Sequence, residues 1–199
     1  MSTKIKILVP YLVSIFCLSV LIYALFRINK LKETFSNYQT DIGAKYIDLE
    51  ETVENYKLST SLIGTILNPD LKDIKNQRII LNEKDPLHTL YLYFTESGCN
   101  SCVLQELGNL SKLKNTHIII LARYDEPKKL EYLLKEFKFE DLTCYCLTPD
   151  SDVFQGADPA YLSQTIVFNL GSNYSILNAL VASSKNPALS TIYYKRLTI

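Results

Sequence analysis

The alternation of apolar and polar positions divides the chain into three stretches. From Ile7 to Phe26 the residues ILVPYLVSIFCLSVLIYALF carry no charge, about the twenty apolar residues a helix needs to cross a bilayer core. Lys4 and Lys6 precede this run, Arg27, Lys30 and Lys32 follow it, and Ile22 stands two before Ala24 where a cleavage site would want a small residue. The run therefore predicts an uncleaved membrane anchor over 7–27 behind a short tail of 1–6. Basic residues at both ends leave its orientation undecided by charge. The second stretch, 28–67, repeats Ile28, Phe35, Ile42, Leu49, Tyr56 and Ile63 at heptad spacing, with Leu31, Tyr38 and Ile66 at the complementary position of some heptads. That is half of a coiled-coil seam. Lys45, Thr52 and Ser59 are polar at companion positions, and Gly43 weakens a helix interior by about 1 kcal/mol. The stripe fits a homodimeric stalk or, as the preferred reading, one amphipathic helix lying on the domain. Asn68-Pro69 ends it.

The third stretch, 68–199, alternates short apolar runs with helical periods. Arg78 to Leu81 reads as a short strand and Asp85-Pro86 as a turn. Leu90 to Phe94, rich in aromatics and too short for a buried helix, predicts an interior strand. Val103, Leu107, Leu110 and Leu113 then fall at helical steps. His117 to Ala122 is a β-branched strand run, and Glu126-Pro127 opens a helix whose apolar face is Leu130, Leu133, Leu134 and Phe137. Leu142 to Leu147 reads as a strand, Gln155 to Ser163 as a loop, and Thr165 to Leu170 with Ser175 to Val181 as two strands joined at Gly171-Ser172-Asn173. A helix from about Pro187 to Arg196 closes the chain.

Composition narrows the class. The chain has 199 residues, 47% of them hydrophobic, and only six glycines, enough for one proper core beyond the anchor and stalk. Lysine plus arginine equals aspartate plus glutamate at 21 each, so no basic footprint for nucleic acid is present. Five cysteines are too few for a disulfide-stapled scaffold of this length. Cys17 lies in the apolar run behind the bulky Phe16, and reads as a lipid-facing or helix-packing residue rather than a lipid-attachment site.

Cys99 and Cys102 stand where the central strand, after a polar turn from Thr95 to Gly98, becomes a helix. The first turn of a helix offers unpaired amides and the positive end of its dipole, which would stabilise a thiolate at Cys99 and make it the nucleophile. Cys102, one turn on, can close a short disulfide and resolve a mixed one. The bland alternative is two small buried residues sharing a helix end. A C-x-x-C beside a βαβ pattern favours redox use.

The element order, the placement of Cys99-Asn100-Ser101-Cys102 and the single anchor resemble the membrane-tethered thioredoxin-like proteins of bacterial envelopes, the group around the TlpA and ResA thiol-disulfide oxidoreductases. The resemblance covers about Arg78 to Ile199. It implies an α/β thioredoxin-like fold, a central mixed sheet flanked by helices, here preceded by one N-terminal transmembrane helix and a helical stalk, with the domain over 68–199. It also implies Cys99 as attacking and Cys102 as resolving thiol, acting without a cofactor on cysteine-containing envelope proteins. Such chemistry belongs on the oxidising side of the membrane, so the globular part is expected outside the cytoplasmic membrane as a single-pass protein. The sequence departs from the group at three places. Gly98 stands where a tryptophan is usual, and Gln164 where a cis-proline precedes Thr165. A glutamate usual three residues after the second cysteine is replaced by Gln105, with Glu106 beside it. Acid-base help is then assigned to Glu106 or Glu96, or is missing. Because a non-proline cis bond costs about 2.5 to 4 kcal/mol, the substrate-facing loop at Gln164 and Thr165 is expected to be trans.

Cys144 and Cys146, two apart on a strand, share a face. They read as packing residues, with an auxiliary redox pair or a four-thiolate metal site with Cys99 and Cys102 as the alternatives. His88 and His117 read as surface residues, and no histidine follows His117 to complete a copper site. Two rivals to the oxidoreductase remain: a redox-inactive thioredoxin-fold adaptor held at the membrane, and a metal carrier.

Overall fold

The computed structural model describes residues 3–81, 89–148, 150–171 and 173–197, with side chains described from residue 16 onward save for 159 and 160. The chain divides into two compact units, Met1–Leu49 and Glu50–Ile199. Helix α1 (Thr3–Ser61) supplies the first, and its last turns belong to the second. In the first unit the stripe residues Phe35, Ile42 and Leu49 are exposed, as are Leu21 and Phe26 of the apolar run. Among the described residues no helix is long and apolar enough to cross a membrane. The anchor predicted over 7–27 thus receives no support from the described structure, and the side chains of 7–15, nearly half of it, lie outside the described residues.

In the second unit five strands form one mixed sheet: β2 (Thr89–Thr95), β3 (His117–Arg123), β4 (Leu142–Leu147), β6 (Ile166–Leu170) and β7 (Ile176–Val181), in spatial order β4-β3-β2-β6-β7. The β2–β3 and β3–β4 pairs are parallel, while β2–β6 and β6–β7 are antiparallel. Helices α2 (Asn100–Leu110) and α3 (Pro127–Lys135) make the two crossovers, and α4 (Pro187–Leu197) follows the hairpin. This is the thioredoxin-like α/β arrangement. Short β1 (Ile66–Leu67) and β5 (Phe154–Gln155) pair antiparallel, and a 3-10 helix, Pro159–Ser163, leads into β6. The 155–163 segment expected as loop thus begins on the last residue of β5 and ends in the 3-10 helix.

β2 reads as an unbroken apolar run because both of its faces are covered. Tyr91 and Tyr93 join Ile119, Leu121, Ile166, Phe168 and Val181 on one side. Leu90, Leu92 and Phe94 join Ile118, Ile120, Val167 and the apolar face of α2 on the other. Each such side chain contributes about 1.5 to 3 kcal/mol by leaving water. The segment after α1 completes the first side: Leu62 and Leu67 are fully buried. Ser59 Oγ accepts from the Val181 amide at 2.8 Å, while Gly64 and Thr65 exchange backbone hydrogen bonds with Ile176 at 2.8 Å each. Residues 50–67, the end of the stretch that fits a stalk or a helix lying on the domain, therefore cover the β7 edge and fill part of the core.

Arg78 to Leu81 is not a strand. Ile79 and Leu81 are buried and Ile80 is exposed, so the alternation is real, but the segment meets only an isolated bridge between Lys72 and Arg78. The Asp85-Pro86 turn and His88 lie outside the described residues.

Candidate redox site

β2 delivers the chain to the site. After Thr95 the backbone turns, held by Glu96 N donating to Arg123 O at 2.9 Å and Gly98 N donating to Thr95 O at 3.1 Å. Cys99 is then the N-cap of α2, its backbone extended at φ −71° and ψ 97°. A capping side chain is usually an oxygen; here the Cys99 sulfur accepts from the Cys102 amide at 3.3 Å. Cys99 and Cys102 form a disulfide, with Cα atoms 5.3 Å apart. The two halves differ in access: Cys99 is half-buried and Cys102 is 4% exposed on the core face of α2, beside Val103 and Leu107. Two hydroxyls also approach the Cys99 sulfur, Ser101 Oγ at 3.3 Å and Ser184 Oγ at 3.9 Å.

Gly98 has a steric role. A Cβ built there would lie 2.9 Å from the Ser163 carbonyl oxygen and 3.1 Å from Thr95 Oγ1. The loop before β6 therefore comes directly against the turn that carries Cys99, and no side chain fits between them. The Gln164–Thr165 bond is trans, since no cis peptide occurs among the described residues. Thr165 is buried, its carbonyl accepts from the Ala182 amide at 2.8 Å, and its hydroxyl has no partner among the described residues. Gln164 N donates to Tyr161 O at 3.1 Å. A groove of about 470 Å³ opens beside this loop, between Ser97, Arg123, Leu162 and Ser163.

The two carboxylates expected to assist have different environments. Glu96 faces α3: it accepts from Lys129 Nζ at 2.8 Å and from the Asp125 amide at 3.2 Å. The Lys129 hydrogen bond holds its carboxyl below the usual carboxylate range, so Glu96 is an anion at neutral pH with its oxygens already engaged. Glu106 lies one turn beyond Cys102 and is completely buried. It accepts from Ser190 Oγ at 2.6 Å, Tyr194 OH at 2.6 Å and Gln105 Nε2 at 3.2 Å. Burial, then the Glu106 charge, pushes the Tyr194 phenol well above its ordinary value, and the same causes raise Tyr193.

Cys144 and Cys146 are free thiols on β4. Cys146 donates to the Tyr124 carbonyl at 3.3 Å. Desolvation, with the Cys146 and Glu131 charges, pushes the Cys144 thiol up to about 12, and desolvation raises Cys146 as well. Both thiols stay protonated at neutral pH, which speaks against redox work; Cys146 packs against the core, whereas Cys144, expected to pack, is exposed. Among the described residues no group of three or more His, Cys, Asp and Glu is placed to hold a metal ion. His117 pairs with Asp141 at 2.7 Å, on β3 and away from the thiols' helix.

Ser184, Ser190 and Tyr194 were not marked by any local signal. The Ser190 and Tyr194 hydroxyls reach Glu106 because α4 folds back on α2.

No family model and no curated protein matches this chain. Among solved structures it is similar to a thiol:disulfide interchange protein DsbE from Chlorobium tepidum, at 12% identity and TM-score 0.36, over 66% of this chain and 97% of that one. It is also similar to a thiol:disulfide interchange protein from Bacteroides sp., at 16% identity and TM-score 0.43, over 66% and 88% of the two chains. A third is the soluble domain of Sco1 from Bacillus subtilis, at 14% identity and TM-score 0.41, over 68% and 96%. The thioredoxin-like assignment rests on the sheet topology itself.

Proposed function

We propose that this chain is a thiol-disulfide oxidoreductase that exchanges disulfides with cysteine-containing envelope proteins. The observation that carries the reading is the Cys99–Cys102 disulfide at the start of α2, with Cys99 reachable at the N-cap and Cys102 buried behind it. In the reducing direction the Cys99 thiolate attacks one sulfur of a substrate disulfide. A Cys99–substrate bond forms, the substrate disulfide breaks, and one substrate cysteine leaves as a thiolate. Cys102 then gives up its proton and attacks the Cys99 sulfur, closing the 99–102 disulfide and expelling the second substrate thiolate. Two electrons pass from the dithiol to the substrate, and oxidation of a substrate dithiol runs the same steps backward.

The Gln164–Thr165 backbone would face the bound substrate, since its loop lies against Gly98. Glu106 is the favoured acid-base assistant, one turn from Cys102 and already ringed by hydroxyl donors. Residues 7–27 would tether the protein to the cytoplasmic membrane, supported by their length and lack of charge, with the globular part on the extracytoplasmic side where disulfides persist. The exposed stripe at Phe35, Ile42 and Leu49 would allow two copies to pair through the stalk.

The test is trapping. The full chain in mild detergent, carrying Cys102→Ser, should accumulate a mixed disulfide between Cys99 and a small disulfide peptide, seen as an added mass. Cys99→Ser should form none, and wild type should release its adduct by closing the 99–102 bond. Equal adducts on both single variants, or none on either, would remove the reading.

A further inference from the structure

We infer that Arg123, at the carboxyl end of β3, sets the substrate specificity of the exchange site by holding an acidic side chain that flanks the substrate's cysteine. The inference rests on the exchange reading above and names the class of substrate for that same site. β2 and β3 run parallel with Thr95 opposite Arg123, so Arg123 stands beside the last residue of the strand that leads to Cys99. In open α/β sheets ligands bind outside the carboxyl ends of the strands. The groove of about 470 Å³ opens at that end, and Arg123 lines it with Ser97, Leu162 and Ser163. Ser97 lies two residues before Cys99, and the Ser163 carbonyl is the group that closes on Gly98. A substrate chain lying against the 162–165 loop with its sulfur at Cys99 therefore places a residue near that sulfur in the groove.

The guanidinium there lacks partners. Arg123 is half-buried, its Nε is buried without a hydrogen bond among the described residues, and its Nη1 donates to Tyr93 OH only at 3.5 Å, beyond the usual range of about 2.7 to 3.2 Å. No carboxylate among the described residues forms an ion pair with it. A cation partly withdrawn from water is costly unless it is paired, and a carboxylate meets the guanidinium fork with two hydrogen bonds at once. Tyr93 OH in turn donates to Leu162 O at 3.1 Å, which joins the guanidinium to the loop that borders the groove. Two other acids line the groove, both toward α3. Glu96 is held by Lys129 Nζ at 2.8 Å, which offsets its charge, and Asp125 is exposed, where water and salt screen it. The half-buried Arg123 charge is screened less and decides the sign for an incoming residue.

The experiment uses the prereduced full chain in mild detergent and three disulfide peptides that differ only in the neighbours of one cysteine, which are Glu, Gln or Lys. Each rate is divided by that of the same peptide with dithiothreitol, which removes the effect of the flanking charge on the peptide's own sulfur. Wild type should prefer the Glu peptide over the Gln peptide by about 5- to 30-fold, and over the Lys peptide by more. The preference should lie in the half-saturating peptide concentration rather than in the maximal rate, and should shrink as salt is added. Arg123→Gln should bring the Glu peptide down to the level of the Gln peptide. Arg123→Lys, which keeps the charge without the fork, should retain only part of the preference. A melting midpoint on each variant separates this effect from loss of fold, and the wild-type peptide series tests the inference even where a variant does not fold. Equal rates for the three peptides, a preference for Lys, or a Glu preference that persists in Arg123→Gln would overturn the inference while the exchange reading stands. If wild type exchanges with none of the peptides, both fall together.

Discussion

Gly98 is where the chain departs most visibly from the group it resembles, and the reason is local. The Ser163 carbonyl occupies the space a Cβ would need, so the residue before the first cysteine is fixed by backbone contact rather than by an aromatic cover. Single residues also carry a pH signature. The Tyr194 phenol is raised well above its ordinary value of 10.0 by burial and by Glu106, so its contribution to stability is complete below that pH. It is lost as the pH rises further, because the unfolded tyrosine ionises while the folded one must stay protonated. Denaturant titrations should show wild-type stability falling between about pH 9.5 and 11, with a shallower fall in Tyr194→Phe. That variant should also be weaker at pH 7 by about 1 to 3 kcal/mol, since a fully buried carboxylate loses a donor; equal alkaline slopes would contradict the assignment. At this scale the sequence was informative where contacts are local. Cys99, Cys102 and Glu106 share one helix and one face, and their spacing announces it. Ser184 and Ser190 meet the same helix from more than 80 positions away, and no periodicity encodes that.

At the scale of elements, the strands β2, β3, β4, β6 and β7 and the helices α2, α3 and α4 were legible, because each is an apolar run or stripe bounded by turn residues or proline. Arg78 to Leu81 has the same alternation without a neighbouring strand to pair with, and pairing is not written in a single segment. The two-residue strands β1 and β5 are too short for any pattern. The heptad stripe fits a stalk or a helix lying on the domain, and the last turn of α1 with the segment after it packs on the sheet. Leu62 and Leu67 are fully buried and Ser59 binds the β7 edge. Removing Leu62 and Leu67 alone forfeits about 3 to 6 kcal/mol, a large part of the roughly 5 to 15 kcal/mol by which a domain is stable. A chain beginning at Glu50 should melt cooperatively by circular dichroism near the full-length midpoint, and one beginning at Asn68 should melt at least 10 °C lower, roughly as 3 kcal/mol dictates. Matching midpoints would show that 50–67 adds nothing to the fold.

The second unit places a disulfide after the end of β2, at the start of a helix that carries a buried carboxylate, beside a loop fastened to α1. The fold class was legible because β-α-β alternation followed by a hairpin leaves few topologies open. Membrane attachment and partners are written only in the N-terminal run and the resemblance, and they stand as proposals. The central claim is that Cys99 and Cys102 interconvert reversibly between dithiol and disulfide, and it is tested most directly by the reduction potential of the full chain in glutathione or dithiothreitol buffers. The account predicts one reversible two-electron transition, abolished in Cys102→Ser and unchanged when Cys144 and Cys146 are replaced by serine. A pair that stays reduced, or stays oxidised, at every poise would contradict it.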